Sequence, residues 1–242
     1  LYNMVQHTLK SSYCDFDEND KNAIYNEIGV DEAGRGPMLG RVYASAVILP
    51  NSNDDFDHSL MKDSKKFHSE KKIKYAANYI KTHAIAWSVQ FSDETIIDEI
   101  NIRNATHNAM HSAISDIIQQ IKIKNQNQPI LNKNILLMID GNDFTSFIDK
   151  ETNEKISHIC IEAGDNTYSS IAAASILSKV SRDEYIEELC NNNPFLDSQY
   201  GILTNKGYGT KKHMEGIKQY GISPFHRKSF GICKLSKLST NF

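Results

Sequence analysis

Apolar and polar positions alternate in the early part of the chain and later repeat at helical spacing, so the sequence changes period several times. Ile28 and Val30 read as alternate residues of a buried β-strand that runs out at Asp31-Glu32. Arg41 to Leu49 is alternating and β-branched enough for a second strand, ended by Pro50-Asn51-Ser52-Asn53. The short interval between the two leaves room only for a loop return, which predicts an antiparallel pair. Ser69 to His83 carries Ile73, Ala76, Ala77 and Ile80 at helical spacing, with Ser69 placed to cap it, and Ala84 to Phe91 predicts a third strand. Ser92 to Ile121 predicts a helix broken near Asn101, and an Asn-rich linker follows. Ile135 to Ile139 is a continuous apolar run ending in Asp140-Gly141, and Ile156 to Ile161 is another, ending near Asp165. A helix from about Ser170 to Cys190 comes next, with small residues at Ala172 to Ser175 that suit close packing on a sheet. Taken in the order β-β-β-α-β-α-β-α, these elements predict an α/β fold, a mixed sheet flanked by helices. Its first, fourth and fifth strands are expected to be parallel because helices connect them. Residues 1–26 predict a polar lead-in without chemistry, with Asp15 to Asp20 as loop. Residues 27–194 predict the core, and 195–242 loops and short helices that extend it.

The stretch from Glu27 to Gly40 sets two acids where an apolar strand ends, just before a glycine-rich turn. Because side chains alternate along a strand, Asp31 and Glu32 can share one site only if the strand ends or bulges by Ala33-Gly34. Gly34, Gly36 and Gly40 have the wrong spacing for a dinucleotide loop, and Arg35 stands where a Walker phosphate loop needs Lys-Ser/Thr. A plain glycine-rich turn stays open as a reading of this stretch alone, as does a simple Asp-Gly turn at Asp140. If the two strands are neighbours, Asp31 and Asp140 close them about 4.8 Å apart. Two carboxylates at 5 Å repel by about 3 kcal/mol at an effective dielectric of about 20, a strain that a divalent cation would relieve. Oxygen-only ligands favour magnesium or manganese over zinc. His107 and His111 lie one helical turn apart, but no Glu follows His107 as in H-E-x-x-H, and exposed helix residues are the simpler reading.

Asp31-Glu32-Ala33-Gly34-Arg35-Gly36-Pro37 resembles the signature of the ribonuclease HII family, the type 2 ribonucleases H. Further motifs resemble that family in order: Lys62-Asp63-Ser64-Lys65-Lys66, then Ile139-Asp140-Gly141, then Gly164-Asp165 with the run Ala172 to Asp183, then Lys206-Gly207-Tyr208-Gly209-Thr210. The resemblance covers roughly Glu27 to Phe230 and implies a ribonuclease H-like fold with a C-terminal helical extension. It implies a catalytic and metal-binding set of Asp31, Glu32, Asp140 and Asp165, with Mg2+ or Mn2+ as cofactor. Cleavage is then expected in the RNA strand of RNA/DNA hybrids and at ribonucleotides within duplex DNA, by two metal ions, leaving 5′-phosphate and 3′-hydroxyl ends. The family's Gly-Arg-Gly backbone meets the 2′-hydroxyl, which maps to Gly34, Arg35 and Gly36, and its motif tyrosine stacks on the following sugar, which maps to Tyr208. Composition alone would place Tyr208 in the core. Lys65, Lys66, Lys179 and Arg182 are candidate phosphate contacts, with surface salt bridging as the other reading. Arg41, Asn205 and Thr167 stand where the family commonly has proline, histidine and lysine. The interval from Asp140 to Asp165 is expected to carry a loop extension around Asp149 to Lys155.

Composition changes this picture in one respect. The net charge of −3 over 242 residues suits a nucleic-acid protein poorly until it is divided along the chain. Residues 201–242 carry eight lysines and arginines against the single acid Glu215, a net +7, which leaves −10 for the first 200 residues. That asymmetry predicts phosphates held by one part and metal ions by another, against a solvated tail as the alternative. With 40% hydrophobic residues the chain can bury a core, and no apolar run is long enough for a membrane span. The four cysteines form no C-x-x-C pair, which predicts free thiols in an intracellular protein, cytoplasmic or, in a eukaryote, nuclear. A monomer bound to nucleic acid and no membrane is expected. Rival readings are the catalytic subunit of a multi-subunit type 2 enzyme, a catalytically inactive hybrid-binding module, and a type III relative. The last is disfavoured because about 26 residues before the first strand leave no room for its extra N-terminal domain.

Overall fold

In the computed structural model, residues 9–14, 26–52, 54–124 and 132–239 are described. The Asp15 to Asp20 loop and most of the Asn-rich linker lie outside them. Five strands form one sheet in the order β3-β2-β1-β4-β5: β1 (Asn26–Ala33), β2 (Val42–Ile48), β3 (Ala86–Ser92), β4 (Ile135–Asp140) and β5 (Ser157–Ile161). β1 pairs antiparallel with β2, and β2 with β3. β4 runs parallel to β1 on one side and to β5 on the other.

The expected element order needs correcting, because helix α1 (Glu70–His83) precedes β3 and no helix separates β4 from β5. Parallel strands require a long crossover rather than a helix as such. Residues 141–156 supply it as irregular chain whose Phe147 and Ile156 are buried in the core. The extension expected at Asp149 to Lys155 lies in this segment, pinned by the Asp149 N–H on the Glu154 carbonyl (2.9 Å).

Alternation along the strands sorts the core into two layers. Ile28, Val30, Leu137 and Ile139 face α2 (Glu94–Lys124), whose Ala109, Ala113, Ile114, Ile117 and Ile121 cover that side. The break at Asn101 is real, with φ 67°, and its side-chain oxygen accepts the Asn104 N–H at 3.1 Å, capping the second half. α1 and α3 (Ser169–Asn192) cover the opposite face through Ile73, Ala77, Ile80, Ala173 and Leu177. α3 lies so close to β1 that a Cβ on Gly29 would stand 2.2 Å from the Ser170 carbonyl carbon. The small-residue run at Ala172 to Ser175 permits that approach. Ser69 occupies the cap of α1, but its hydroxyl makes no capping bond.

One further expectation changes. The lead-in is docked where it is described: the Tyr13 and Cys14 N–H groups donate to the Glu27 carboxylate (2.8 and 2.7 Å), and the Lys10 carbonyl accepts the Ser169 N–H at the start of α3 (2.9 Å). Residues 195–239 form the loops and short helices expected and are not the solvated tail that stood as the alternative. Here α4 (Phe195–Tyr200), α5 (Ile202–Asn205) and α6 (Lys211–Tyr220) bury Leu196, Tyr200, Ile202 and Ile217 together with Met38, Leu39 and Ile186. The C-terminal region therefore packs on the turn that follows β1.

Candidate active site

The register of β1 against β4 places the acids. Val30 pairs with Ile139, so Asp31 and Asp140 follow on adjacent parallel strands. Both project from the α3 face, since Gly29 and Met138 do so two residues earlier. β1 ends at Ala33, as expected, and without a bulge: its pairing with β2 stays in step from Asp31↔Ser45 to Ala33↔Tyr43. Its pairing with β4 stops earlier, at Val30↔Ile139, and Glu32 reaches the same cleft from beyond that point.

Burial and mutual repulsion dominate the electrostatics. Asp31 is 5% exposed, and its pKa is raised well above the usual carboxylate range, by loss of solvent first and then by Glu32 and Asp140. Glu32 is also shifted upward, mainly by burial, although the Arg35 guanidinium at 3.3 Å opposes the shift. Asp165 is 4% exposed and pushed up to about 6 by burial, Asp140 and Asp63. Asp140 Oδ1 accepts the N–H groups of Gly164 (2.8 Å) and Asp165 (3.3 Å), so the acid of β4 holds the loop that carries the next one.

Asp31 and Glu32 line a cleft of about 270 Å³, and Asp140 and Asp165 are outside its lining. β1 and its turn line it with Asp31, Glu32, Gly34, Arg35 and Gly36, the turn at 64–66 with Ser64 and Lys65, and α3 with Ser175, Lys179 and Arg182, while Tyr208 closes the far side. The Lys65 ammonium is stabilised by Asp63, Asp165, Asp31 and Asp140 against its own burial, and so serves as a counter-charge among the acids. Tyr208 is half exposed and not in the core: a Cβ on Gly36 would meet its ring edge at 3.3 Å. Gly34 needs its φ of +95°, and any side chain there would strike Arg182.

Other candidates separate from this group. Lys66 is not in the cleft lining, and its ammonium donates to Asn166. Lys179 pairs with Asp183. Arg182 lines the cleft but is buried, donating to the carbonyls of Lys206 (2.9 Å), Leu39 and Arg41 (3.4 Å each). Arg41 stacks its guanidinium over Phe91 (3.9 Å) and Tyr185 (4.5 Å). Thr167 caps its own turn on the Ala163 carbonyl, and Asn205 ties Tyr200 to Gly207. His107 is buried rather than exposed. It and His111 bind Thr145, and among the described residues no three or more His, Cys, Asp or Glu side chains, the four acids included, stand arranged to hold a metal ion.

The sequence reading missed Asp63 and Arg227. Asp63 is buried beside Asp165 and caps the turn that carries Lys65, for which Asp-Ser was the available signal. Arg227 had been counted among the basic residues meeting phosphate. It is wholly buried and gives its donors to backbone carbonyls.

Residues 28–233 match the family model described as Ribonuclease HII. The chain belongs to the ribonuclease HII family. It is 44% identical over 206 residues to a ribonuclease HII of Parabacteroides distasonis, covering 85% of this chain and 90% of the relative. Against the ribonuclease HII of Bacteroides thetaiotaomicron the identity is 41% over 216 residues, 89% and 94% of the two chains. The ribonuclease H2 of Pyrococcus horikoshii OT3 has the same fold at a TM-score of 0.64 and 21% identity, covering 87% of this chain and 96% of that one. Bst-RNase HIII, solved in complex with Mn2+, is similar at a TM-score of 0.56 and 16% identity, covering 82% and 71%. Membership in the family makes the chain a nuclease of the ribonuclease H type, an endonuclease for the RNA strand of RNA/DNA hybrids. Among the described residues no helix is long and apolar enough to cross a membrane.

Proposed function

We propose that this ribonuclease cuts both RNA/DNA hybrids and single ribonucleotides embedded in duplex DNA, by two-metal-ion hydrolysis that leaves 5′-phosphate and 3′-hydroxyl ends. The observation that carries the reading is the placement of Asp31 and Asp140 one residue beyond the Val30↔Ile139 pair on adjacent parallel strands, both on one face, with Asp31 buried and Asp140 partly so. The donor set of Asp31, Glu32, Asp140 and Asp165 is all carboxylate oxygen, which fits Mg2+ or Mn2+. The upward-shifted pKa values of Asp31, Glu32 and Asp165 fit as well, because a cation would offset the burial and the mutual repulsion that raise them. When bound, divalent cations would activate the attacking water and neutralise the leaving oxygen.

The remaining roles belong to the chain itself. The backbone of Gly34, Arg35 and Gly36 would face the 2′-hydroxyl, which can both donate and accept. The ring of Tyr208 would pack against the next sugar, where a deoxyribose leaves room that a 2′-hydroxyl would take. Lys65 and Lys179 line the cleft and would meet phosphates, whereas Lys66 and Arg182, held by Asn166 and by carbonyls, would support its margin. We read the protein as an intracellular monomer that works on nucleic acid without partner subunits. The purified chain, incubated with duplex DNA carrying one ribonucleotide, is expected to cut beside it with magnesium and not without. Mapped ends other than 5′-phosphate and 3′-hydroxyl, or no cutting by the single chain, would refute this reading.

A further inference from the structure

The C-terminal segment Ser223 to Arg227 does not line the cleft itself, yet it holds both parts of the chain expected to read the sugar. Arg227 spends its whole guanidinium on one turn. Nε donates to Gly40 O (2.8 Å), Nη1 to Arg35 O (3.0 Å) and Pro37 O (2.8 Å), and Nη2 to Gly34 O (2.7 Å). No single-point cation could span four carbonyls in this way. The neighbouring residue acts on the other wall. His226 Nδ1 faces the Ser223 N–H at 2.9 Å, His226 Nε2 faces His213 Nε2 at 3.0 Å, and His213 Nδ1 faces the Tyr208 carbonyl at 2.9 Å.

The proton order in this chain follows from its ends. A backbone N–H can only donate, so His226 Nδ1 is the acceptor and its Nε2 carries the proton. A carbonyl can only accept, so His213 Nδ1 carries a proton and its Nε2 accepts from His226. Both rings are fully buried, and burial lowers the pKa of each, keeping the pair neutral. Main-chain bonds complete the frame: Arg227 N donates to Met38 O, Gly40 N to Phe225 O and Met38 N to Gly207 O, each at 2.8 Å.

We propose that His226 and Arg227 are positioning residues for ribonucleotide recognition: Arg227 shapes the Gly34 to Gly40 turn, His226 acts through His213 on Tyr208, and together they set the turn and the ring at one spacing. The inference rests on the reading of Gly34 to Gly36 and Tyr208 given under the proposed function. It assigns to a buried pair behind the cleft wall the choice between a ribonucleotide junction and a long hybrid.

The test is a double-mutant cycle between His226→Asn and Tyr208→Ala, read as kcat/KM on duplex DNA with one ribonucleotide and on an all-RNA strand paired with DNA. Asparagine at 226 keeps an acceptor for the Ser223 N–H and deletes the donor to His213. A loss of about threefold to tenfold is expected on the single ribonucleotide, a smaller one on the hybrid, and no further loss once Tyr208 is alanine. Equal losses on both substrates that multiply with Tyr208→Ala would overturn the proposal, since a merely structural role lowers the folded fraction whatever stands at 208. Should His226→Asn not fold, His213→Asn and His213→Leu decide the same question. Only the asparagine can donate to the Tyr208 carbonyl, so it should retain more selectivity, and equal behaviour of the two counts against the proposal. Arg227→Lys should raise KM more than it lowers kcat, and a fall in kcat at unchanged KM would remove Arg227 from this role. Failure of the functional reading looks different: the wild type would cut neither substrate, and the inference would fall with it.

Discussion

Asp140 holds Asp165 through the backbone: one carboxylate oxygen of Asp140 accepts the Asp165 N–H at 3.3 Å and that of Gly164 at 2.8 Å. The same group is thus both a candidate ligand and the clamp on the loop that presents another. Asp140→Asn retains an oxygen for those N–H donors while removing the charge. It should abolish cleavage, by at least about a thousandfold, with a thermal midpoint equal to or above the wild type, because repulsion with Asp31 is relieved. Asp140→Ala, which also frees the loop, should be less stable than Asp140→Asn by about 1 kcal/mol. Near-normal cutting by Asp140→Asn at saturating magnesium would remove Asp140 from the catalytic set.

Tyr208 presents half its surface to solvent and leans on the Gly36 backbone. Its removal costs the core little, so Tyr208→Ala should leave the thermal midpoint within about 2 °C. Cleavage at a lone ribonucleotide should fall about tenfold more than cleavage of a long hybrid, where additional phosphate contacts compensate. Steady-state kinetics on the two substrates separate these cases, and equal losses would leave the ring without a reading role.

Gly29 lies beneath α3, where a Cβ would enter the Ser170–Ile171 peptide at 2.2 to 2.5 Å. Backbone cannot turn aside as a side chain can, so Gly29→Ala must lift the helix that carries Ser175, Lys179 and Arg182. A loss of about 1–3 kcal/mol is expected in denaturant unfolding, together with reduced activity. A variant of unchanged stability would mean that the helix has more freedom than this packing implies.

The buried histidine pair predicts a pH dependence of stability. His226, faced by His213, Ser223 and the Tyr200 ring, has its pKa lowered from 6.5 to about 3 by burial and then by His213. Below pH 6.5 the unfolded chain binds a proton that the folded chain refuses until about pH 3, so the unfolded state is favoured as pH falls through that window. The stabilisation is complete above pH 6.5 and declines by up to about 1.4 kcal/mol per pH unit below it. Thermal midpoints measured from pH 7 to pH 4 should fall more steeply for the wild type than for His226→Gln. Parallel curves would show that this site does not contribute to the slope.

The sequence by itself determined where the acids stand along their strands. Asp31 and Asp140 close apolar stretches that read as buried strands, so each is placed near the C-terminal end of its strand wherever the neighbours lie. The break at Asn101 and the helical spacing of Ile73 to Ile80 were legible for the same reason: each is a local matter of period or backbone preference. The antiparallel pairing of β1 with β2 was legible too, but only the tertiary structure decided that β1 adjoins β4 and that β4 reaches β5 without a helix, because a long connection depends on where the chain can travel and not on its local pattern. It also decided the fate of the charges. Arg227 looks like any other basic residue of its segment, and its four carbonyl partners lie 187 to 193 residues away. Tyr208 and His226 differ in the same way, one half exposed and the other sealed, and the immediate sequence neighbours of neither decide which. Period along a chain reports that a face is covered; what covers it is set by packing between distant segments.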